Sequence, residues 1–190
     1  MNMEFHMSTT MSILIQVLQM RRRNHHPSEI NVIYNSGPPN YVDLAIGNRS
    51  SLHQDYDATW RDGRLAVVWC KDRLPDIVVD LVQRHGGELH HFPVNAVSHS
   101  RTTPGSDWRD RVNSFLEFMR ETIDANAHIR ICCNAGRHRS GAAMALYLMV
   151  RTKTTFHDIK TFIRQKRPAV DIRSFQMFLE DVAQEFADWY

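Results

Sequence analysis

The stretch CCNAGRHRSG, residues 132–141, lies between two apolar segments of different kinds. HIRICC (128–133) is short and apolar enough to predict a buried strand, whereas RSGAAMALYLMV (139–150) is apolar all round, as a central helix would be. A turn of five residues, 134–138, therefore joins a buried strand directly to a buried helix. This arrangement indicates a sheet that is covered by helices.

Segments on both sides of this turn alternate between strand and helix patterns. Three more short apolar runs are bounded by turn residues, and they predict strands at VDLAIG (42–47), RLAVVWC (64–70) and ELHHFPV (88–94). Apolar residues recur at helical spacing in four other segments: Leu74–Gly87, Ser106–Ile123, Thr155–Ile163 and Phe175–Trp189. The segment 95–106 has no apolar period and carries Pro and Gly, so it predicts a loop. The sequence thus predicts an α/β fold, a single domain with a central, mainly parallel sheet flanked by helices.

The chain of 190 residues is expected to form one domain, residues 41–190, behind an N-terminal extension of residues 1–40. The boundary falls at the turn-rich SGPPN (36–40). Within the extension, MSILIQVLQM (11–20) is too short to span a bilayer. The basic run at residues 21–23 follows this apolar segment, whereas in a secretory signal the basic region precedes the apolar segment. We therefore expect no transmembrane segment.

The distribution of charge is more informative than its sum. The formal net charge is only +2, and no nucleic acid partner is expected. From Arg130 to Arg173, however, ten Lys and Arg residues stand against two acids. This part of the chain would attract an anionic ligand, unless the excess is simply a solvated basic face.

Cysteine and histidine usage limits the compartment and the cofactors. The three cysteines, Cys70, Cys132 and Cys133, do not make a disulfide framework, so a reducing compartment is expected: the cytoplasm, with the nucleus possible. The eleven histidines show no zinc-site spacing with matching cysteines, so no metal or other cofactor is expected. The oligomeric state is left open.

The turn at 134–138 has the composition of a device for binding an oxyanion. Backbone N–H groups of a tight loop that runs into a helix N-terminus converge on one centre and favour an anion. Gly136 permits the unusual dihedral angles of such a loop, and the guanidinium of Arg139 can hold two phosphate oxygens. Cys133, at the positive end of the helix, is expected to have a lowered pKa and to exist as a thiolate. A thiolate beneath a clamped phosphate is placed for in-line attack, which gives a cysteinyl-phosphate that water then hydrolyses.

Residues 133–140, Cys-Asn-Ala-Gly-Arg-His-Arg-Ser, resemble the Cys-x5-Arg-Ser/Thr motif of the cysteine-dependent protein tyrosine phosphatase superfamily. The chain length, the helix AAMALYLM (142–149) and the later TFHDIKTFIRQKRPAVDIRSFQMFLEDV (155–182) resemble its small, atypical dual-specificity branch. The resemblance covers roughly residues 41–190, although only the turn and its flanks are specific. It implies a protein tyrosine phosphatase-like fold, a phosphate monoester substrate and no metal.

The resemblance also implies roles for individual residues. Cys133 would be the nucleophile, Arg139 the phosphate clamp, and Ser140 a hydroxyl that eases departure of the thiolate in the second step. The phosphate oxygens would be bound by the loop residues Asn134, Ala135, Gly136, Arg137, His138 and Arg139. Ser140 could instead simply satisfy backbone groups in the first turn of the helix.

The sequence departs from the family pattern at two places. Most relatives have His immediately before the nucleophile, where this chain has Cys132, so the Cys133 thiolate is expected to be less stabilised than in relatives. The family takes its general acid from an Asp on the loop after the strand that matches HHFPV. Asn95 and Ala96 occupy the corresponding positions, and neither can supply the proton.

Three residues further along remain as candidates for the general acid: Asp107, Asp110 and His99. Asp107 is the first choice, although it also suits the N-cap of the following helix, and Asp110 lies in a first helical turn where acids are favoured in any case. The fourth possibility is that no dedicated acid exists. A positioned acid raises the reaction rate by about 10²–10⁴-fold, so its loss would give a slow enzyme and not an inert one.

Cys70 is a possible redox partner of the nucleophile. In some relatives a cysteine on the equivalent strand forms a reversible disulfide with the nucleophile, which makes a Cys70–Cys133 bond the corresponding hypothesis. The alternative is an ordinary buried strand cysteine. Cys132 is a rival partner, but strand alternation turns it away from the pocket.

The leading interpretation is a phosphatase that acts on phosphotyrosine and phosphoserine/threonine in a protein substrate. The chain leaves little room for the recognition loops of larger tyrosine-only phosphatases, which favours a shallower site. Phosphoinositide and RNA 5′-phosphate phosphatases share the loop and remain in competition with this interpretation. A different class is a pseudophosphatase scaffold, which would hold a phosphorylated partner in an intact pocket without an acid.

Overall fold

The computed structural model of the protein describes residues 31–35, 43–52 and 65–190. Over these residues, five strands form one sheet: β1 (Asn31–Asn35), β2 (Asp43–Asn48), β3 (Leu65–Trp69), β4 (Glu88–His91) and β5 (His128–Cys133). Six helices are bounded in the same residues: α1 (Asp76–Arg84), α2 (Val94–Ser100), α3 (Trp108–Asp124), α4 (Arg139–Thr152), α5 (Phe156–Lys166) and α6 (Gln176–Glu185). A 3-10 turn at Arg173–Phe175 leads into α6.

The strands lie in the order β1-β2-β5-β3-β4, and all pairs are parallel except β1 with β2. The predicted α/β fold with a mainly parallel sheet is therefore confirmed. Strand β5 is central, with Gly47 of β2 opposite Cys132 on one side and Trp69 of β3 opposite Cys132 on the other. Because parallel strands end at the same edge of a sheet, the ends of β2 and β3 flank the residue at which β5 ends.

The proposed boundary at residues 36–40 lies outside the described residues, and the division into an extension of 1–40 and a domain of 41–190 stays a prediction. Strand β1, which precedes this boundary in sequence, pairs with β2, and Asn31 is opposite Ile46. The apolar segment 11–20 and the basic run 21–23 also lie outside the described residues. No helix within the described ranges is long and apolar enough to cross a membrane.

The two faces of β5 contact different hydrophobic clusters. Ile129, Ile131 and Cys133 pack in the larger cluster, which contains α4, whereas Cys132 packs on the opposite face with residues that include Trp69 and Val78. Every residue of α4 from 140 to 150 is buried, which confirms the expectation of a central helix. The helix that follows the motif is therefore held in the middle of the domain.

The expectation of a loop over residues 95–106 was wrong for its first half, where α2 covers Val94–Ser100. Pro93 precedes the helix, a position that suits the fixed φ of proline, and Val94 and Val97 share one buried face. The hydroxyl of Ser98 donates to the Asn95 carbonyl at 2.9 Å, so this polar side chain is satisfied within the helix. The apolar pattern did not predict this helix, because a helix of seven residues shows only one apolar repeat.

The segment after α5 packs closely against the start of α4. A Cβ built on Gly141 would lie 2.7 Å from Cγ1 of Val170 and 3.0 Å from Cγ2 of Ile172. Both partner side chains are buried, and both distances are shorter than the optimal separation of carbon atoms, about 3.5–4.0 Å. The absence of a side chain at position 141 therefore allows the first turn of α4 to meet this segment.

We expect Gly141→Ala to lower the free energy of unfolding by about 1–3 kcal/mol, the usual cost of overpacking, despite the better helix propensity of alanine. Urea unfolding followed by circular dichroism measures the change. The double variant Gly141→Ala/Val170→Ala is the matched control, because it removes one of the two clashing methyl-bearing groups. Val170→Ala is measured alone as well. If the free-energy losses of Gly141→Ala and Val170→Ala simply add in the double variant, the contact between residues 141 and 170 is not the cause of the destabilisation.

Candidate active site

The motif of residues 133–140 occupies the junction between the central strand and the central helix. Strand β5 ends at Cys133 and α4 begins at Arg139, so the five residues between them, Asn134 to His138, form the turn; we call them the phosphate loop. Gly136 is buried, whereas Asn134, Ala135, Arg137 and His138 are exposed. The loop thus lies at the surface and above the buried end of β5.

Gly136 is required at its position for two reasons. Its φ is +62°, in the left-handed region that side chains disfavour. A Cβ on this residue would also lie 2.8 Å from a terminal guanidinium nitrogen of Arg167 and 2.8 Å from the carbonyl oxygen of Gly47. The loop is therefore bounded by β2 on one side and by the end of α5 on the other.

The sulfur of Cys133 is surrounded by hydrogen-bond donors. Burial acts to raise the pKa of this thiol, but hydrogen bonds from the Ser140 side chain and from the backbone N–H groups of Ser140, Gly136 and Arg137 outweigh it. The net result is a pKa below the ordinary value for cysteine. The Sγ–Oγ distance between Cys133 and Ser140 is 3.3 Å. The thiolate that the sequence analysis expected is thus favoured by the geometry of the loop.

Arg139 and Ser140 are the first two residues of α4, and the Ser140 hydroxyl contacts the sulfur of Cys133. Ser140 is fully buried and Arg139 is half-buried. The N-terminus of α4 adds a partial positive charge at this place, because its first N–H groups have no partner within the helix. A guanidinium, a helix N-terminus and converging N–H groups together form a site that suits a tetrahedral oxyanion.

The three cysteines differ sharply in their surroundings. Cys70 follows β3, donates its backbone N–H to the Cys132 carbonyl at 2.8 Å, and lies in the same hydrophobic cluster as Cys133. Burial raises the pKa of Cys70 well above its usual value, nearby Cys133 and Cys132 raise it further, and Arg139 opposes them. Cys132 faces the other side of the sheet, as strand alternation predicted. No disulfide joins Cys70, Cys132 or Cys133 in this structure, and a Cys70–Cys133 bond stays a prediction.

The candidates for the general acid lie on the segment between β4 and β5. Asp107 holds the N-cap position of α3 without a capping hydrogen bond, and its Oδ2 accepts from Nε of Arg111 at 2.9 Å. Asp110 and His99 are exposed, on α3 and α2 respectively. Asn95, at the position where the family has its acid, lies in the first turn of α2. The identity of the acid stays a prediction.

Sequence reasoning missed the residues that hold the phosphate loop from outside. Nε of the buried Arg167 donates to the Gly136 carbonyl at 2.8 Å, and the backbone N–H of Asp171 donates to the Arg137 carbonyl at 3.2 Å. Nothing in the local pattern separates Arg167 from the exposed Arg164 of the same basic helix. Only the tertiary contact identifies it.

The sequence profile of the family described as "Dual specificity phosphatase, catalytic domain" matches residues 70–184. Among solved structures, human DUSP28 is 16% identical with a TM-score of 0.58, over 88% of this chain and 98% of that chain. A mouse putative dual specificity phosphatase complexed with zinc tungstate is 16% identical with a TM-score of 0.56, over 90% and 93%. PTPMT1 is 15% identical with a TM-score of 0.57, over 76% and 92%. At these identities the structures show the predicted phosphatase-like fold. No curated protein sequence matches the chain.

We expect Ser140→Ala to raise the pKa of Cys133, because the substitution removes the hydroxyl that stabilises the thiolate. Alkylation of Cys133 by iodoacetamide, followed by peptide mass spectrometry across a pH series, measures this. Below the wild-type midpoint the rate should fall roughly five-fold, the worth of one hydrogen bond. Ser114→Ala, an exposed serine of α3, is the control. An unchanged profile in Ser140→Ala would mean that its hydroxyl does not stabilise the thiolate.

Proposed function

Because this chain belongs to the dual-specificity phosphatase family, as the match over residues 70–184 shows, we propose that it hydrolyses phosphotyrosine and phosphoserine/threonine monoesters of proteins. The family consists of cysteine-based phosphatases, so the chain is a phosphoric monoester hydrolase, and the predicted family is confirmed. The roles of residues 133–140 stay part of the proposal. The observation that carries the proposal is the position of the Cys133 sulfur, which lies at the end of β5 and 3.3 Å from the Ser140 hydroxyl in the first turn of α4.

In the first step, the Cys133 thiolate attacks the phosphorus atom in line with the leaving oxygen. The backbone N–H groups of the phosphate loop and the guanidinium of Arg139 hold the non-bridging oxygens and neutralise the charge of the transition state. The P–O bond to the substrate breaks as the S–P bond forms. The leaving oxygen takes a proton from the general acid, for which Asp107 is the first candidate.

In the second step, water attacks the cysteinyl-phosphate and the thiolate departs. Ser140 supports this step, because its hydroxyl lies 3.3 Å from the sulfur and donates to the charge that returns to it. The same four donors that lower the pKa of Cys133 before the reaction therefore favour its departure as a thiolate afterwards. No step requires a metal ion.

The exposure of the loop supports a phosphorylated protein as the substrate. Four of its five residues are exposed, which fits a shallow site that accepts both long and short phosphorylated side chains. The PTPMT1 neighbour has been solved in complex with PI(5)P, so a phosphoinositide is the principal competing substrate. An RNA 5′-phosphate is a weaker competitor, and a pseudophosphatase scaffold is the competing role without turnover.

Hydrolysis of an aryl phosphate tests the nucleophile and the clamp, because this leaving group needs little protonation. We expect turnover that vanadate inhibits and a chelator does not. Cys133→Ser should abolish it, and Arg139→Ala should lower kcat/KM by about 10²–10³-fold, the usual loss for an oxyanion donor. Arg120→Ala, at an exposed position of α3, is the control. Vanadate binding without any turnover would contradict the enzyme and support the pseudophosphatase scaffold.

A phosphopeptide assay identifies the general acid. We expect Asp107→Asn to lower kcat on a phosphopeptide by about 10²–10⁴-fold, with a much smaller effect on an aryl phosphate, because only the poor leaving group needs the proton. Asp110→Asn and His99→Gln are measured in parallel as rival candidates. If Asp110→Asn or His99→Gln instead shows the selective loss of kcat on the phosphopeptide, that residue is the acid. Small effects in all three variants would mean that none of the three residues acts as the acid.

A further inference from the structure

Arg167 reaches the phosphate loop from outside the catalytic motif. It follows the last residue of α5, where its own N–H closes the helix by donating to the Ile163 carbonyl at 2.8 Å. Its side chain is buried, and its Nε–H donates to the carbonyl oxygen of Gly136 at 2.8 Å. Burial of a guanidinium is costly unless its donors are used, so this placement is a fixed feature of the fold.

The carbonyl that Arg167 holds belongs to the peptide unit that serves the nucleophile. The C=O of Gly136 and the N–H of Arg137 are the two ends of one planar peptide, and in a trans peptide they point in opposite directions. The N–H of Arg137 is one of the donors to the Cys133 sulfur. When the carbonyl end is tied to Arg167, the N–H end is therefore fixed toward the sulfur.

A second contact restrains the next peptide of the loop. The Arg137 carbonyl accepts from the backbone N–H of Asp171 at 3.2 Å, and Val170 and Ile172 pack on Gly141 in the first turn of α4. One segment, residues 167–172, thus contacts the loop and the helix start from the same side. Within it, Arg167 supplies a charged donor, which polarises the peptide and strengthens its N–H as a donor.

We propose that Arg167 is a positioning residue for the phosphatase reaction: its guanidinium holds the Gly136–Arg137 peptide with the N–H turned toward the sulfur of Cys133. The inference rests on the proposed function, because it concerns the residue that orients a peptide in the same catalytic site. Arg167 does not touch the reacting atoms and acts through the peptide. Cys70 interacts electrostatically with Cys133 and Arg139, and each variant at position 167 keeps both Cys70 and Arg139.

Three substitutions test this role. Arg167→Met removes the donor and the charge, and Arg167→Lys keeps the charge without the rigid fork of the guanidinium. Arg164→Met, at an exposed position of the same helix, is the matched control. For each variant, the pH profile of Cys133 alkylation by iodoacetamide is measured first, because it needs no turnover. Thermal unfolding and aryl phosphate kinetics are measured on the same samples.

We expect the alkylation midpoint of Cys133 to move to higher pH in Arg167→Met, with Arg167→Lys between it and the wild type and Arg164→Met unchanged. On an aryl phosphate, kcat/KM below the wild-type midpoint should fall about tenfold in Arg167→Met, which corresponds to the loss of one charge-assisted hydrogen bond. A purely structural residue would lower the melting temperature and leave the midpoint of the folded protein where it was.

A wild-type midpoint in folded Arg167→Met would overturn the inference, and Arg167→Gln replaces that variant in the same comparison if it does not fold. The positioning role and the proposed function fail separately. If the wild type shows no turnover but the midpoint still moves, the proposed function is wrong, whereas the inference that Arg167 orients the Gly136–Arg137 peptide toward the sulfur stands. If the wild type turns over and the midpoint does not move, the positioning role alone is wrong.

Discussion

The site depends on one constraint: a negative charge has to be stabilised on a largely buried sulfur. Burial of Cys133 opposes ionisation, and four donors from the loop and the first turn of α4 overcome it. Three of these donors are backbone N–H groups, so the chemistry depends on the path of the main chain more than on the identity of the loop side chains. Cys132, which precedes the nucleophile, packs on the far face of the sheet.

The rest of the fold holds that main-chain path in place. Strand β5 is paired on both sides, so its end is fixed by the register with β2 and β3. Gly47 and Arg167 bound Gly136 from two directions, and α4 is buried along eleven consecutive residues, Ser140 to Val150. The site is therefore assembled from the sheet, from α4 and from the residue that follows α5, and the five-residue loop is shaped by neighbours that lie far away in sequence.

The features that the sequence predicted are those with strong local patterns. The strand HIRICC, the buried helix after it and the thiolate-favouring turn all follow from hydrophobic periodicity and from residue chemistry, and the structure agrees with each of them. The short helix α2 was missed because seven residues carry too little periodicity. Arg167 was missed because its role arises from a contact between Arg167 and Gly136, 31 positions apart. The acid stays open because it depends on where side chains lie when a substrate is bound.

The burial of α4 has a consequence for how the protein loses activity on heating. The helix whose N-terminus forms the site is also the centre of the main hydrophobic cluster. The catalytic turn therefore does not belong to a less stable part of the described domain that could unfold before the rest. Thermal inactivation and global denaturation of this domain should coincide as one cooperative event, unlike in enzymes whose catalytic residues are carried on peripheral lids.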